Sequence, residues 1–324
     1  MVTVEQLARP CILARKDYIP GKPVEEVRRE LGLKDVIKLA SNENPLGTSP
    51  LAAEAMVREI LTQAHRYPES LAPDLAARLA QIHAVLPEQI FLENGLDGAI
   101  TRIGMTFLNP GEEIIVSRPS FPAYANMAAR MDARIVSVPL SAEHCTDVAA
   151  IRSAVTPRTK LIFVCNPNNP TGTMISAAEY AYLLAGLPET ALLVMDEAYA
   201  DFVDDPAYPQ SIADLLAHPN LIVLRTFSKV MGLAGLRVGY ALAQADTVRL
   251  LRKAREPFPV NRIAQAGALA ALDDVDFRRR TLALNRAGRA FYLRELPRLG
   301  VHPLPSQANF VLIDLGQPAQ PVYA

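Results

Sequence analysis

Past residue 89 the chain settles into a repeating pattern: short apolar runs alternate with longer stretches whose apolar residues recur every three or four positions. The runs predict strands at residues 89–92, 113–116, 134–138, 161–164, 191–195, 221–224 and 237–241. Several, such as Leu221-Ile222-Val223-Leu224, are wholly apolar, as suits strands covered on both faces. Alternation of strand and helix predicts an α/β fold, a largely parallel central sheet with helices on both faces.

The flanks differ. Tyr18-Ile19-Pro20-Gly21-Lys22-Pro23 has turn chemistry, and residues 24–31 predict a short amphipathic helix, glutamates early and arginines late, as the helix dipole favours. A short strand is expected at 37–40, helices at 50–63 and 74–84, and another at 96–108 that stops at Asn109-Pro110-Gly111. After about residue 248, arginine-rich helices at 248–255 and 277–296 lead to a strand at 309–313. The expected division is an N-terminal arm with a small-domain segment (1–49), a large domain (50–247) and a smaller C-terminal α/β domain (248–324).

Composition narrows the class. At 324 residues and 50% hydrophobic content, the chain can bury roughly three quarters of its unfolded surface, enough for a large core. A formal net charge of −1 without a long basic run offers no electrostatic footprint for nucleic acid or an anionic membrane. No apolar run approaches the roughly 18 residues of a spanning helix, and the Met1-Val2-Thr3-Val4-Glu5 start lacks signal-peptide character, so a cytoplasmic protein is expected. Cys11, Cys145 and Cys165 are odd in number and far apart, against a disulfide framework, and the five histidines show no metal-type spacing. No metal is expected.

The chemistry gathers at strand ends. Thr226-Phe227-Ser228-Lys229 follows the 221–224 run, and Gly232 through Gly239, with Arg237, comes after it. Open α/β sheets bind ligands at the carboxyl ends of their strands. Alone, Lys229 reads equally as a solvated loop lysine; the hydroxyls, the arginine and the glycines suit a bound phosphate, and a lysine beside a phosphate suggests pyridoxal phosphate. Asn94-Gly95-Leu96-Asp97 opens a helix whose free N–H groups could hold that phosphate, or is a plain glycine turn with Asp97 as a cap. Phe121, in Arg118-Pro119-Ser120-Phe121, could stack on a pyridine ring or lie in the core. Asn166-Pro167-Asn168-Asn169-Pro170-Thr171-Gly172 is a proline-stiffened loop with amides to donate. Asp196, ahead of Glu197-Ala198-Tyr199, ends an apolar strand, where a carboxylate wants a cationic partner such as a pyridinium.

In this order and spacing, Ser41-Asn42-Glu43-Asn44-Pro45, Arg66-Tyr67-Pro68, Asn169-Pro170-Thr171-Gly172, Asp196-Glu197-Ala198-Tyr199 and Ser228-Lys229 through Gly239 resemble the class I/II aminotransferases of fold type I, most closely their histidinol-phosphate branch. The resemblance runs from about Tyr18 to the last residue. Related aromatic aminotransferases and a threonine-phosphate decarboxylase look similar over the same stretches.

The resemblance implies pyridoxal 5'-phosphate as cofactor and transamination between histidinol phosphate and 2-oxoglutarate as activity. Lys229 would bond the cofactor covalently and then move the proton, Asp196 would hold the pyridine nitrogen protonated, and Asn169 and Tyr199 would bond its phenolic oxygen. Phe121 would stack on the ring. The phosphate would be held by the backbone at Leu96 and Asp97, by Thr226, Ser228 and Arg237, and by Tyr67 reaching across from the second subunit of a homodimer. Tyr18 and Asn44 are the expected substrate contacts. The family continues beyond the 309–313 strand with a helix and a strand bearing a carboxylate-binding arginine, so the small domain is expected to be incomplete. An aromatic amino acid aminotransferase and a non-catalytic pyridoxal-binding protein are the alternatives.

Overall fold

The computed structural model describes residues 2–15 and 23–323. Seven strands form one sheet: β1 (Ile90–Glu93), β2 (Glu113–Arg118), β3 (Arg134–Pro139), β4 (Thr159–Cys165), β5 (Leu192–Asp196), β6 (Leu221–Thr226) and β7 (Gly239–Ala243), in the order β1-β7-β6-β5-β4-β2-β3. β7 runs antiparallel to both its neighbours, and the other pairings are parallel. The carboxyl ends of β1, β2, β4, β5 and β6 therefore share one edge of the sheet. The beginning of β7 lies on that edge too, with Gly239 opposite both Glu93 and Thr226.

Side chains alternate across the pleat into two apolar layers. Ile162, Val164, Leu193, Met195, Leu221 and Val223 pack toward helices Pro73–His83, Ala177–Ala185 and Arg262–Ala271. Leu161, Phe163, Val194, Ile222, Leu224 and Ala241 pack toward helices Gly95–Phe107, Ala123–Arg130 and Ala245–Lys253. With both faces covered, the central strands can be apolar throughout, and β5 and β6 are nearly so.

The predicted strands form with shifted ends. The 237–241 segment starts two residues late, because Arg237 adopts a left-handed backbone (φ 55°) that closes a short 3-10 turn before β7. Residues 37–40 form no strand: Ile37 and Leu39 are 87% and 81% exposed, with no strand alongside among the described residues. The 309–313 strand shrinks to β9 (Ile313–Asp314), antiparallel to β8 (His302–Pro303). Side chains take the ladder bonds upstream of it: Asn285 Nδ2 donates to the Ala308 carbonyl and Ser306 Oγ to that of Phe310. No helix among the described residues is long and apolar enough to cross a membrane.

Candidate active site

A cleft of about 780 Å³ opens at the shared strand edge. Asp196, last residue of β5, is 2% exposed, with Oδ2 accepting from the Tyr124 hydroxyl at 2.7 Å and Oδ1 from the Ala198 N–H at 3.1 Å. Burial pushes its carboxyl up to about 6, against the pull of those two donors.

Lys229 leaves the loop after β6 and enters the same cleft. Its Nζ donates to the carbonyls of Ser41 (3.1 Å) and Asn42 (3.3 Å) and lies 5.5 Å from the centre of the Tyr199 ring. Burial lowers its pKa, with Arg237 pushing the same way against the pull of Glu43. Desolvation thus favours a neutral, nucleophilic amine.

Tyr199 lines the same cleft. Its hydroxyl accepts from Asn169 Nδ2 at 3.2 Å and Asn42 Nδ2 at 3.1 Å, while burial holds its pKa above that of free tyrosine. The pair of amides and the hydroxyl form one polar wall.

The opposite end is built for an anion. Helix Gly95–Phe107 begins at the end of β1 with no side-chain cap from Asn94, so its first N–H groups, at Leu96 and Asp97, find no partner among the described residues at the positive end of the dipole. Gly95 has φ 69°, and a Cβ there would lie 2.6 Å from Arg237 Nη2. Gly239 sits against the same turn, where a Cβ would come within 3.1 Å of Leu96 N. Arg237 meets Asp97 Oδ2 at 3.1 Å in a pair exposed enough to open at little cost. The Ser228 N–H donates to Thr226 Oγ1 at 3.0 Å, which shapes the turn that carries Ser228 and Lys229 into the cleft.

Of the expected site residues, Leu96, Asp97, Phe121, Asn169, Asp196, Tyr199, Thr226, Ser228, Lys229 and Arg237 all line this cleft. Tyr67 does not; it is 80% exposed and stacks on Phe258 with centroids 4.8 Å apart. Asn44 does not either, since its Nδ2 donates to the Val230 carbonyl and to Thr281 Oγ1, both at 3.1 Å, beside an adjoining cavity. Asn42 is the asparagine of that loop that faces the cleft. Tyr18 lies outside the described residues.

Sequence reasoning missed Asn42, whose side chain is aimed by a left-handed backbone (φ 52°) that an Asn-rich loop signals only in general terms. It also missed Tyr124, three residues beyond Phe121 and indistinguishable by pattern from a core aromatic. No group of three or more His, Cys, Asp or Glu residues suited to a metal ion occurs among the described residues.

The seven-stranded, mostly parallel sheet with helices on both faces is that of the fold type I transferases. The sequence profile described as "Aminotransferase class I and II" matches residues 34–322, and the chain belongs to that family. It is 44% identical over 316 residues to the histidinol-phosphate aminotransferase of Moorella thermoacetica, covering 97% of this chain and 81% of that protein. The histidinol-phosphate aminotransferase of Symbiobacterium thermophilum is 43% identical over 315 residues, with 97% and 86% covered. Among solved structures, the histidinol-phosphate aminotransferase of Sinorhizobium meliloti in complex with pyridoxal-5'-phosphate superposes with TM-score 0.89 at 31% identity, covering 97% of this chain and 84% of that one. Aspartate aminotransferase from Thermus thermophilus with maleate superposes at 0.79 and 25% identity, with 90% and 80% covered.

Proposed function

We propose that this chain is a cytoplasmic pyridoxal-phosphate-dependent aminotransferase that moves the amino group of histidinol phosphate to 2-oxoglutarate. The observation that carries the chemistry is the meeting in one cleft of the Lys229 amine, whose pKa burial lowers, with the enclosed carboxyl of Asp196. Relatives above 40% identity named for histidinol phosphate support the substrate.

The residues fit the cofactor. A phosphate matches the uncapped helix end at Leu96 and Asp97, together with Ser228, Thr226 and Arg237; a protonated ring nitrogen matches Asp196; a phenolic oxygen matches Asn169 and Tyr199; a ring face matches Phe121. Bound there, pyridoxal phosphate supplies an electron sink for the pair left when a proton leaves the substrate carbon. Lys229 would hold the cofactor covalently and would supply the amine that takes the proton from the substrate carbon and returns it. Asp196 would keep the proton on the ring nitrogen, and the Asn42 and Asn169 amides would fix the Tyr199 hydroxyl beside it.

The assembly that suits this reading is a homodimer in which Tyr67 completes the phosphate site of the partner. Tyr67 is exposed, as are Val57, Ile60, Leu61 and Leu71 nearby in the sequence, which supports it. Tyr18 is proposed to contact substrate, and the division at about residues 50 and 248 is proposed as the domain plan.

Single-turnover assays test the substrate. Histidinol phosphate should convert the cofactor-loaded protein faster than phenylalanine or tyrosine at equal concentration. Equal or faster conversion by the aromatic amino acids would replace this reading with an aromatic aminotransferase.

A further inference from the structure

Tyr124 is a clamped ring with one bonded hydroxyl. It is 1% exposed, stacked on Phe163 (centroids 4.7 Å apart, planes at 18°) and met edge-on by Phe121 (5.7 Å, 79°). Its hydroxyl donates to Asp196 Oδ2 at 2.7 Å, while the Ala198 N–H occupies Oδ1. The rest of the carboxylate is left to the cleft.

We propose that Tyr124 is a positioning residue of the transamination site, whose hydroxyl holds the Asp196 carboxylate ionised and aimed at the cofactor's ring nitrogen. The proposal rests on reading the cleft as a pyridoxal phosphate site, and adds a residue that acts through Asp196 rather than on the cofactor.

Electrostatics explain why such a donor is needed. Burial is the largest influence on Asp196 and works against its charge, and Asp97 from the helix end and the adjacent Glu197 push the same way. Cys165 at the end of β4, Tyr199 and Tyr208 face it as neutral groups. Lys229 is a cation coupled to it across the cleft, one that burial itself inclines to lose its proton. Removing the Tyr124 hydroxyl keeps Asp196 protonated to a higher pH in the unloaded site, and that proton must leave before the carboxylate can pair with a pyridinium.

The test is equilibrium titration of the 324-residue apoprotein with pyridoxal 5'-phosphate across about pH 5.5 to 8.5, followed by absorbance. Tyr124→Phe keeps the ring and its stacking. It should bind ~10- to 100-fold more weakly at low pH, with the deficit shrinking as pH rises and Asp196 ionises in both proteins. In an Asp196→Asn background the same substitution should add no pH-dependent loss. Equal affinity at every pH, a deficit independent of pH, or one that persists unchanged with Asp196→Asn would overturn the proposal. If Tyr124→Phe folds too weakly to titrate, Tyr124→His, which keeps a ring N–H donor, decides: near-normal affinity at low pH supports the proposal and a uniform loss overturns it. A wild-type chain that takes up no cofactor at any pH overturns the reading of the site and the proposal with it.

Discussion

Lys229 Nζ lies 3.1 Å from the Ser41 carbonyl and 3.3 Å from that of Asn42, so the loop leading to Asn44 closes directly on the lysine. Ser41 and Asn42 both have left-handed backbones (φ 70° and 52°), and this unusual pair of conformations turns two carbonyls toward one amine. Two acceptors and a nearby Glu43 keep the ammonium in place, while burial favours the neutral form.

Borohydride reduction of the cofactor-loaded protein, followed by peptide mapping, should place the label on Lys229. A label on Lys160 or Lys253 would remove Lys229 from its role. The same burial has a stability consequence. The folded-state pKa of Lys229 is lowered, so between that value and the ordinary 10.5 the folded chain binds fewer protons than the unfolded one. Stability of the apoprotein should rise with pH through this window. Lys229→Met should remove that dependence and stabilise the apoprotein at neutral pH, as thermal unfolding at several pH values would reveal.

Asp196 makes the opposite prediction. Its folded pKa is raised from 3.8 to about 6, so across that interval the folded apoprotein holds a proton the unfolded chain has lost, and stability falls as pH rises. Above about pH 6 the cost is constant, on the order of 3 kcal/mol for a shift of roughly two units. Asp196→Asn should therefore unfold at a higher temperature than wild type at pH 7, with the gap closing toward pH 4. With cofactor bound, the same substitution should slow the half reaction by orders of magnitude, because the ring nitrogen loses its charge partner. A variant with near-normal half-reaction rates would contradict the role of Asp196.

Much of this site was legible because sheet geometry and chemistry coincide. Apolar runs marked the strands, and the polar residues just past them, Asn169, Asp196, Ser228 and Lys229, had to emerge at one edge once the strands were parallel. The antiparallel β7 could not be read, since an apolar pentapeptide carries no sign of direction; its reversal brings Arg237 to the same edge. Residues 37–40 misled because alternating apolar residues predict a strand only where a neighbour supplies ladder bonds. Tyr124 was illegible for another reason: whether a buried aromatic packs or also donates depends on what lies opposite, here Asp196.

Gly95 is a sharper probe of the phosphate end than any charged residue. Its φ of 69° disfavours an L side chain by about 1 to 2 kcal/mol, and a Cβ would drive into the Arg237 guanidinium at 2.6 Å. Because the obstacle is the end of a flexible side chain, Gly95→Ala should fold, with Arg237 displaced from the helix end. Cofactor affinity should drop about tenfold or more with only a modest loss of thermal stability. Isothermal titration against pyridoxal 5'-phosphate checks the first, and calorimetric unfolding of the apoprotein the second. Unchanged affinity would mean that Arg237 does not hold the phosphate.

Asp196 and Glu197 are adjacent in sequence and do different work. Glu197 is 1% exposed and points away from the cleft, with Oε2 2.6 Å from Arg225 Nη2 and Oε1 accepting from the Ser211 hydroxyl. Burial pushes its carboxyl up against the pull of Arg225, whose Nε finds no hydrogen-bond partner among the described residues. Such a pair adds little net stability over apolar residues of the same size, yet removing one partner strands the other charge in the interior. Glu197→Met and Arg225→Met should each therefore destabilise the fold by about 3 to 5 kcal/mol. The double variant Glu197→Met with Arg225→Met should lose clearly less than the sum of the singles, since neither charge is left behind. Urea unfolding of the singles and the double, with each cycle corner measured on the apoprotein, gives the coupling directly. Once Asp196 is ionised, cofactor affinity per folded molecule should stay near normal throughout, because neither side chain lines the cleft. Strictly additive losses would show that the two charges do not depend on each other.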